Sequence, residues 1–211
     1  MPVLAPALAS FVVAAIFVTL ASAAVAQFSN PNPDKASVLK PPPGAKVAIY
    51  EFEDLECPDC ARAAPLLKEA SEKYKIPLVR HDFPLPFHIW SFDAAVNARW
   101  FDTKGKKIGD DYRDAVFAFQ PNIHNQDDLR QFTQNFANER KIALPFVIDP
   151  QKKLSDEVKA DYALGQRIGI EHTPTIWVVT NQTHGTPFVE VVDRNKLYEI
   201  LDQAIADTKG K

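Results

Sequence analysis

Cysteine is nearly absent from this chain: two occur in 211 residues, Cys57 and Cys60, three positions apart. A bridge that short closes almost no loop, so it constrains little of the unfolded chain and cannot staple a small secreted scaffold. Two thiols also fall short of the four ligands of a structural zinc site. What is left for the pair is chemistry. Glycine is scarce as well, seven residues against seventeen prolines, which argues for stiff connections rather than loose linkers. Excess basic charge is missing: 24 Lys and Arg face 27 Asp and Glu, mixed along the chain, for a net charge of -3. A nucleic-acid partner would need a basic face, so none is expected. There are no internal repeats.

One long hydrophobic run is present. Val3 to Ala26 carries no charge, and Phe11 to Ala26 is almost wholly apolar. Ala24-Val25-Ala26 then fits a small-x-small cleavage site, and polar Gln27 to Asn30 follow. Two readings of residues 1–26 stand: a secretory signal peptide cut after Ala26, or a membrane anchor, since about 20 apolar residues span a bilayer. Either exports the rest of the chain to the periplasm or another extracytoplasmic space. A signal peptide would normally carry Lys or Arg before its apolar run, and none is here. Residues 27–45 include Pro31, Pro33, Pro41, Pro42 and Pro43 and read as a Pro-rich tether of polyproline character.

Beyond the tether, 46% hydrophobic and 24% charged residues suit a packed domain. Lys46 to Phe52 alternates and is β-rich, which predicts a strand in a central position. Asp54 to Cys57 is the turn. Pro58 to Lys75 is helical by spacing, with Pro58 in the first turn, where its missing N–H costs nothing, and Pro65 as an interior kink. Ile76 to His81 is a second strand. Four helices are then expected at Ser91–Thr103, Asp110–Phe119, Asp127–Lys141 and Gln151–Ile168, each with an acid or Ser near its start. Trp90, Trp100, Phe117, Phe119, Phe132 and Phe136 would form their core. Strands return at Thr175–Val179 and Phe188–Val192, and Arg194–Thr208 closes the chain as an amphipathic helix.

A Cys-x-x-Cys that leaves a strand and opens a helix is a redox signature with a mechanism. Free N–H groups and the positive end of the helix dipole stabilise a thiolate at Cys57, below the free value of about 8.5. Cys60, one turn on, is placed to resolve a mixed disulfide.

Several stretches together resemble the thioredoxin superfamily and, within it, the DsbA-like oxidoreductases of bacterial envelopes. They are Phe52-Glu53-Asp54-Leu55-Glu56-Cys57-Pro58-Asp59-Cys60, Pro65, Arg80-His81-Asp82-Phe83-Pro84-Leu85, Gly169-Ile170-Glu171-His172-Thr173-Pro174-Thr175, and the helical block. The resemblance implies an α/β, thioredoxin-like fold with an inserted helical domain: residues 46–86 and 166–211 form the thioredoxin-like domain and 87–165 the insertion. It implies Cys57 and Cys60 as the catalytic pair, and a cis Thr173-Pro174 beside them that binds substrate. It also makes Glu51 the buried acid that exchanges a proton with Cys60. Strand alternation puts Glu51 on the side of Ile49 and Val47, which favours burial; the alternative is a solvent-facing strand residue.

The dipeptide Pro58-Asp59 tunes the pair. Strong oxidants of the resembled family carry His where Asp59 stands. A carboxylate there opposes a thiolate at Cys57, and Arg62 offsets it in part. The expectation is a Cys57 less acidic, and a disulfide less oxidising, than in those relatives. The implied activity is exported dithiol–disulfide exchange, in the direction of disulfide formation, with no cofactor and no metal. Its partners would be reduced or misoxidised exported proteins and a membrane redox-recycling partner, and the chain would be a monomer. The alternatives are an envelope reductase or isomerase, or a non-catalytic protein of the same fold: a chaperone, or a copper binder using Cys57, Cys60 and His172.

Overall fold

The computed structural model describes Met1 and residues 38–182 and 188–209. The segment read as a signal peptide or anchor, and residues 27–37 of the tether, lie outside the described residues. Among the described residues no helix is long and apolar enough to cross a membrane.

A four-stranded sheet of order β2-β1-β3-β4 organises the chain. Its strands are β1 (Val47–Glu53), β2 (Leu78–Asp82), β3 (Thr175–Thr180) and β4 (Phe188–Glu190). β1 runs parallel to β2 and antiparallel to β3, and all seven of its residues are buried. Alternation along β1 supplies two cores. Val47 and Ile49 meet Ala63, Leu67 and Ala70 of α1 (Pro58–Tyr74) and Leu197 and Leu201 of α6 (Leu197–Lys209). Ala48, Tyr50 and Phe52 face the other way, toward Phe83, Ile168, Trp177 and Val179.

Between β2 and β3 stand α2 (Ser91–Asp102), α3 (Lys106–Phe119), α4 (Gln126–Glu139) and α5 (Lys153–Ile168). They share a third core around Trp90, Phe101, Tyr112, Val116 and Phe136.

Several expectations are corrected at their edges. α3 begins at Lys106, not Asp110, because Gly105 (φ 139°) lets the chain turn into the helix there; no acid stands in its first turn. α4 is capped by Asn125, whose side chain accepts from the Asp127 and Asp128 N–H groups, so these acids occupy the first turn rather than the cap. α6 begins at Leu197, after a short 3-10 turn at Arg194–Lys196. β2 starts two residues late, and β4 stops at Glu190. Phe119 is 44% exposed rather than core, stacked on Phe132 at 5.3 Å. The tether, too, docks before it ends: Leu39 is buried in the second core, and the Tyr50 hydroxyl donates to the Lys40 carbonyl.

Candidate active site

The register of β1 against β3 pairs Phe52 with Thr175. Thr173 and Pro174 therefore fall just beyond the end of β1, where the turn to α1 carries Cys57. The Thr173–Pro174 bond is cis. Cys57 Sγ donates to the Thr173 carbonyl at 3.4 Å, across 116 residues of sequence. Among the described residues Thr173 makes no backbone–backbone hydrogen bond, and its buried hydroxyl has no partner.

Both cysteines are free thiols. Cys57 occupies the N-cap of α1, with Pro58 at the first helical position. The Cys60 thiol as donor, with the N–H groups of Cys60 and Asp59, outweighs burial and lowers the Cys57 pKa to about 5. Cys60 is fully buried. Burial, then its thiol bond to Cys57 and the charge of Glu51, push its pKa well up. The Asp54 N–H points at the Cys60 sulfur, at 3.4 Å. One thiol is thus built to ionise and the other to stay protonated.

Glu51 lies inside the protein, fully buried, as alternation favoured. Burial raises its pKa well above the ordinary carboxylate range, and Glu53 adds to the shift.

Asp59 departs from expectation. Its carboxylate is held by Arg194 at 2.8 Å and Arg62 at 3.0 Å, and these partners lower its own pKa. Arg194 also donates to the Asp59 carbonyl, 3.2 Å away. Asp59 is therefore not a free charge set against the thiolate. Removing the arginine should expose it: in Arg194→Met, a pH titration of Cys57 alkylation is expected to give a midpoint higher than wild type. The rise should be less than about one unit, because water screens the site.

Other residues escaped sequence reasoning. Asp54 is saturated: its carboxylate accepts from Glu56 N (2.8 Å), Ser91 Oγ (2.5 Å), Leu85 N (2.6 Å) and His88 Nδ1 (2.7 Å). Glu56 accepts from the N–H groups of Trp90 and Ser91 at the start of α2. Gln120, just past α3, donates to the carbonyls of Leu55 and Cys57 at 2.9 and 3.2 Å. These bonds tie the redox turn to the helical block. They join residues far apart in sequence, and only the acid-rich turn Glu53-Asp54-Leu55-Glu56 hinted at them.

Exposed apolar side chains border the same turn. Phe87 and Ile89 flank His88, and Phe119 precedes Gln120; they are 73%, 63% and 44% exposed. A cleft of about 140 Å³ beside Pro174 is lined by Asp59, His172, Glu190, Val192 and Arg194 among others. His172 is exposed, its ring 3.4 Å from the Thr175 hydroxyl. Among the described residues no group of three or more His, Cys, Asp or Glu is gathered as for a metal ion.

Comparison with known proteins agrees with this geometry. The family model described as Thioredoxin matches residues 42–203. No curated protein sequence matches. Three solved structures share the fold. A double-cysteine variant of Wolbachia pipientis alpha-DsbA1 superposes with a TM-score of 0.66 at 19% identity, over 82% of this chain and 98% of its own. A linker-deletion variant of Proteus mirabilis ScsC gives 0.60 at 21% identity, over 77% and 71%. A periplasmic thioredoxin-like protein from Salmonella enterica serovar Typhimurium gives 0.59 at 19%, over 76% and 84%. With its Cys57-x-x-Cys60 turn, its Thr173-Pro174 loop and a helical block set between β2 and β3, the chain belongs to the thioredoxin family and has the fold of its DsbA-like members.

Proposed function

We propose that this protein is an exported thiol:disulfide oxidoreductase that catalyses dithiol–disulfide exchange in envelope proteins, in the direction of disulfide formation. The observation that carries the reading is the split between the two sulfurs: Cys57 ionises at about pH 5 while Cys60 is held as a thiol. A stabilised Cys57 thiolate favours the dithiol form of the pair, so the disulfide form gives up its oxidising equivalents readily.

In the oxidised protein a client thiolate attacks the Cys57 sulfur. A client–Cys57 disulfide forms, the Cys57–Cys60 bond breaks, and Cys60 leaves with the bonding electrons and takes up a proton. A second client thiolate then attacks the client sulfur, and Cys57 leaves as the stable thiolate. The client has gained a disulfide and the protein holds a dithiol, which a membrane redox partner reoxidises. The backbone of Thr173, which makes no backbone–backbone hydrogen bond among the described residues, suits an extended client segment. Exposed Phe87, Ile89 and Phe119 offer it apolar contact, as in the recognition of unfolded chains. Export rests on residues 1–26; one structural neighbour is described as periplasmic.

The reverse activity, reduction or isomerisation, is the second reading: an acid, Asp59, stands between the cysteines, although Arg194 and Arg62 hold its charge. A Cys60→Ser chain expressed with its export segment tests the exchange reading directly. It should accumulate adducts with envelope proteins through Cys57 that a reducing agent dissolves. Absence of adducts would remove the exchange reading. A wild-type pair found mainly as disulfide in cells supports oxidation, and one found mainly as dithiol supports reduction.

A further inference from the structure

Glu53 follows Glu51 by two positions, so both carboxyls leave β1 on the same face. Both are fully buried, and among the described residues none of their four oxygens has a hydrogen-bond donor. Their nearest cations reach them by Nε atoms outside hydrogen-bond geometry. Arg80 Nε lies 3.8 Å from Glu51 and 3.5 Å from Glu53, and Arg113 Nε lies 3.3 Å from Glu53. These arginines spend their terminal N–H groups elsewhere: Arg80 on Asp114 at 3.0 Å, Arg113 on Asp102 at 3.0 Å. Two buried carboxylates without donors are costly, and a proton held between them removes the cost.

Charge around the pair demands the same. On β2 stand Arg80 and Asp82, with His81 between them on the other face, stacked on Phe52. α2 brings Arg99 and Asp102; α3 brings Lys106, Asp110, Arg113 and Asp114; α1 brings Lys68, and α5 brings Asp161. With Glu51 and Glu53, seven carboxyls face five permanent cations, so negative charge stays in excess even when His81 is protonated. The only uncompensated oxygens in the group are those of Glu51 and Glu53, together with the two arginine Nε atoms beside them.

We propose that Glu51 and Glu53 act as one proton-holding pair for Cys60, and that Arg113, reaching in from the helical block, sets the affinity of that pair through Glu53. The proposal rests on the exchange activity proposed above and extends it. When Cys60 attacks the Cys57 sulfur of a mixed disulfide, its S–H proton passes to the Glu51 carboxylate, the Cys57–Cys60 bond forms, and the client leaves as thiolate. When the protein acts as oxidant, the proton returns from the pair to Cys60 as that sulfur leaves. Glu53 is a positioning residue: its charge raises the proton affinity of Glu51, and Arg113 lowers that of Glu53. Arg80, whose side chain is 4% exposed, and Asp114, which it holds, bring the edge of the pair close to solvent. Both border a cleft of about 330 Å³ with Lys68 and Asp110. None of its lining residues belongs to the sulfur site.

The test is a two-step thiol assay on the whole protein. The reduced protein reacts with a dithionitrobenzoate reagent: Cys57 takes one thionitrobenzoate as a mixed disulfide, and Cys60 then displaces it. The rate of the second release is followed against pH in wild type and variants. Wild type should show an inflection as the pair loses its proton. Glu51→Gln should remove that inflection. Glu53→Gln, isosteric and neutral, should move it down by about one unit, since a like charge is lost. Arg113→Gln should move it up, and Arg113→Lys should restore it. Opposite shifts from Glu53→Gln and Arg113→Gln are the signature of charge, which a packing defect does not produce. If Glu53→Gln leaves the midpoint in place while Glu51→Gln removes it, Glu53 is structural and the pair is refuted. Should Arg113→Gln fail to fold, Glu53→Gln decides alone. If no first adduct forms at Cys57, the exchange activity itself is refuted.

Discussion

Reduced protein treated with iodoacetamide across a pH series should show one fast thiol and one silent one. Cys57 is expected to reach half its maximal reactivity at about pH 5, whereas Cys60, fully buried and held as a thiol by its surroundings, stays unmodified until the protein unfolds. Peptide mapping of the alkylated chain assigns each label. A midpoint near the free value of about 8.5 would show that the N-cap position and its donors do not stabilise the thiolate. The same shift fixes how stability responds to acid. A thiol whose folded-state pKa is depressed contributes stability that is fully present above the unfolded value, about 8.5, and is lost as pH falls through the folded value. For Cys57 that window runs down to about 5. The oxidised protein has no thiol to ionise and carries no such contribution. Melting both forms from pH 4 to pH 8 should therefore show the reduced form gaining on the oxidised form as pH rises. A gap that stays constant would contradict a thiolate at Cys57.

The second large effect is expected at Asp54, a buried carboxylate behind the cysteine turn. Asp54→Ala leaves four donors without an acceptor: Glu56 N, Ser91 Oγ, Leu85 N and His88 Nδ1. Each buried group left unsatisfied costs about 1–3 kcal/mol, and water can enter to relieve some of them. A loss of about 3–5 kcal/mol is the expected result, comparable to removing one partner of a buried ion pair. For a domain of this size that is a fall in Tm of roughly 6–20 °C. Calorimetry on the variant and wild type measures it. Because Asp54 also directs its N–H at the Cys60 sulfur, the variant should lose uniform reactivity at the redox turn as well. A variant that melts with wild type would show that the four bonds are replaced by water at no cost.

What the sequence made legible was local or periodic. Cys57-x-x-Cys60 after an alternating run could be read because a strand, a turn and a helix start each leave a signature within a few residues. The same holds for the cores: β1 alternates, and α1 and α6 show their apolar faces at helical spacing. Glu51 was picked out by the family resemblance, with alternation favouring its burial, and the same alternation places Glu53 beside it, although no motif drew attention to it. Arg194 was not legible. Its bond to Asp59 spans 135 residues, and only the folded chain brings the start of α6 to the start of α1. Nor was Phe119, whose spacing matches the buried Phe117 and half-buried Phe132 nearby but whose position at the end of α3 turns it outward. Gly105 shows the limit of acid-based helix starts: a positive φ opened α3 four residues before the first acid.

The insertion between β2 and β3 also imposes an order of arrival. β1, α1 and β2 are contiguous, so the redox turn and its first neighbours emerge from synthesis or export early. β3, which pairs along the length of β1, comes after the whole helical block, and with it the Thr173–Pro174 loop that covers Cys57. Non-local pairing of this kind forms late, since a long loop must close before its contacts are made. A chain threading outward from its N-terminus would thus present both sulfurs bare for as long as the remaining hundred-odd residues take to follow. During that interval, under the proposed activity, the nascent chain would itself be a client, open to oxidation or mispairing by finished copies of the same protein.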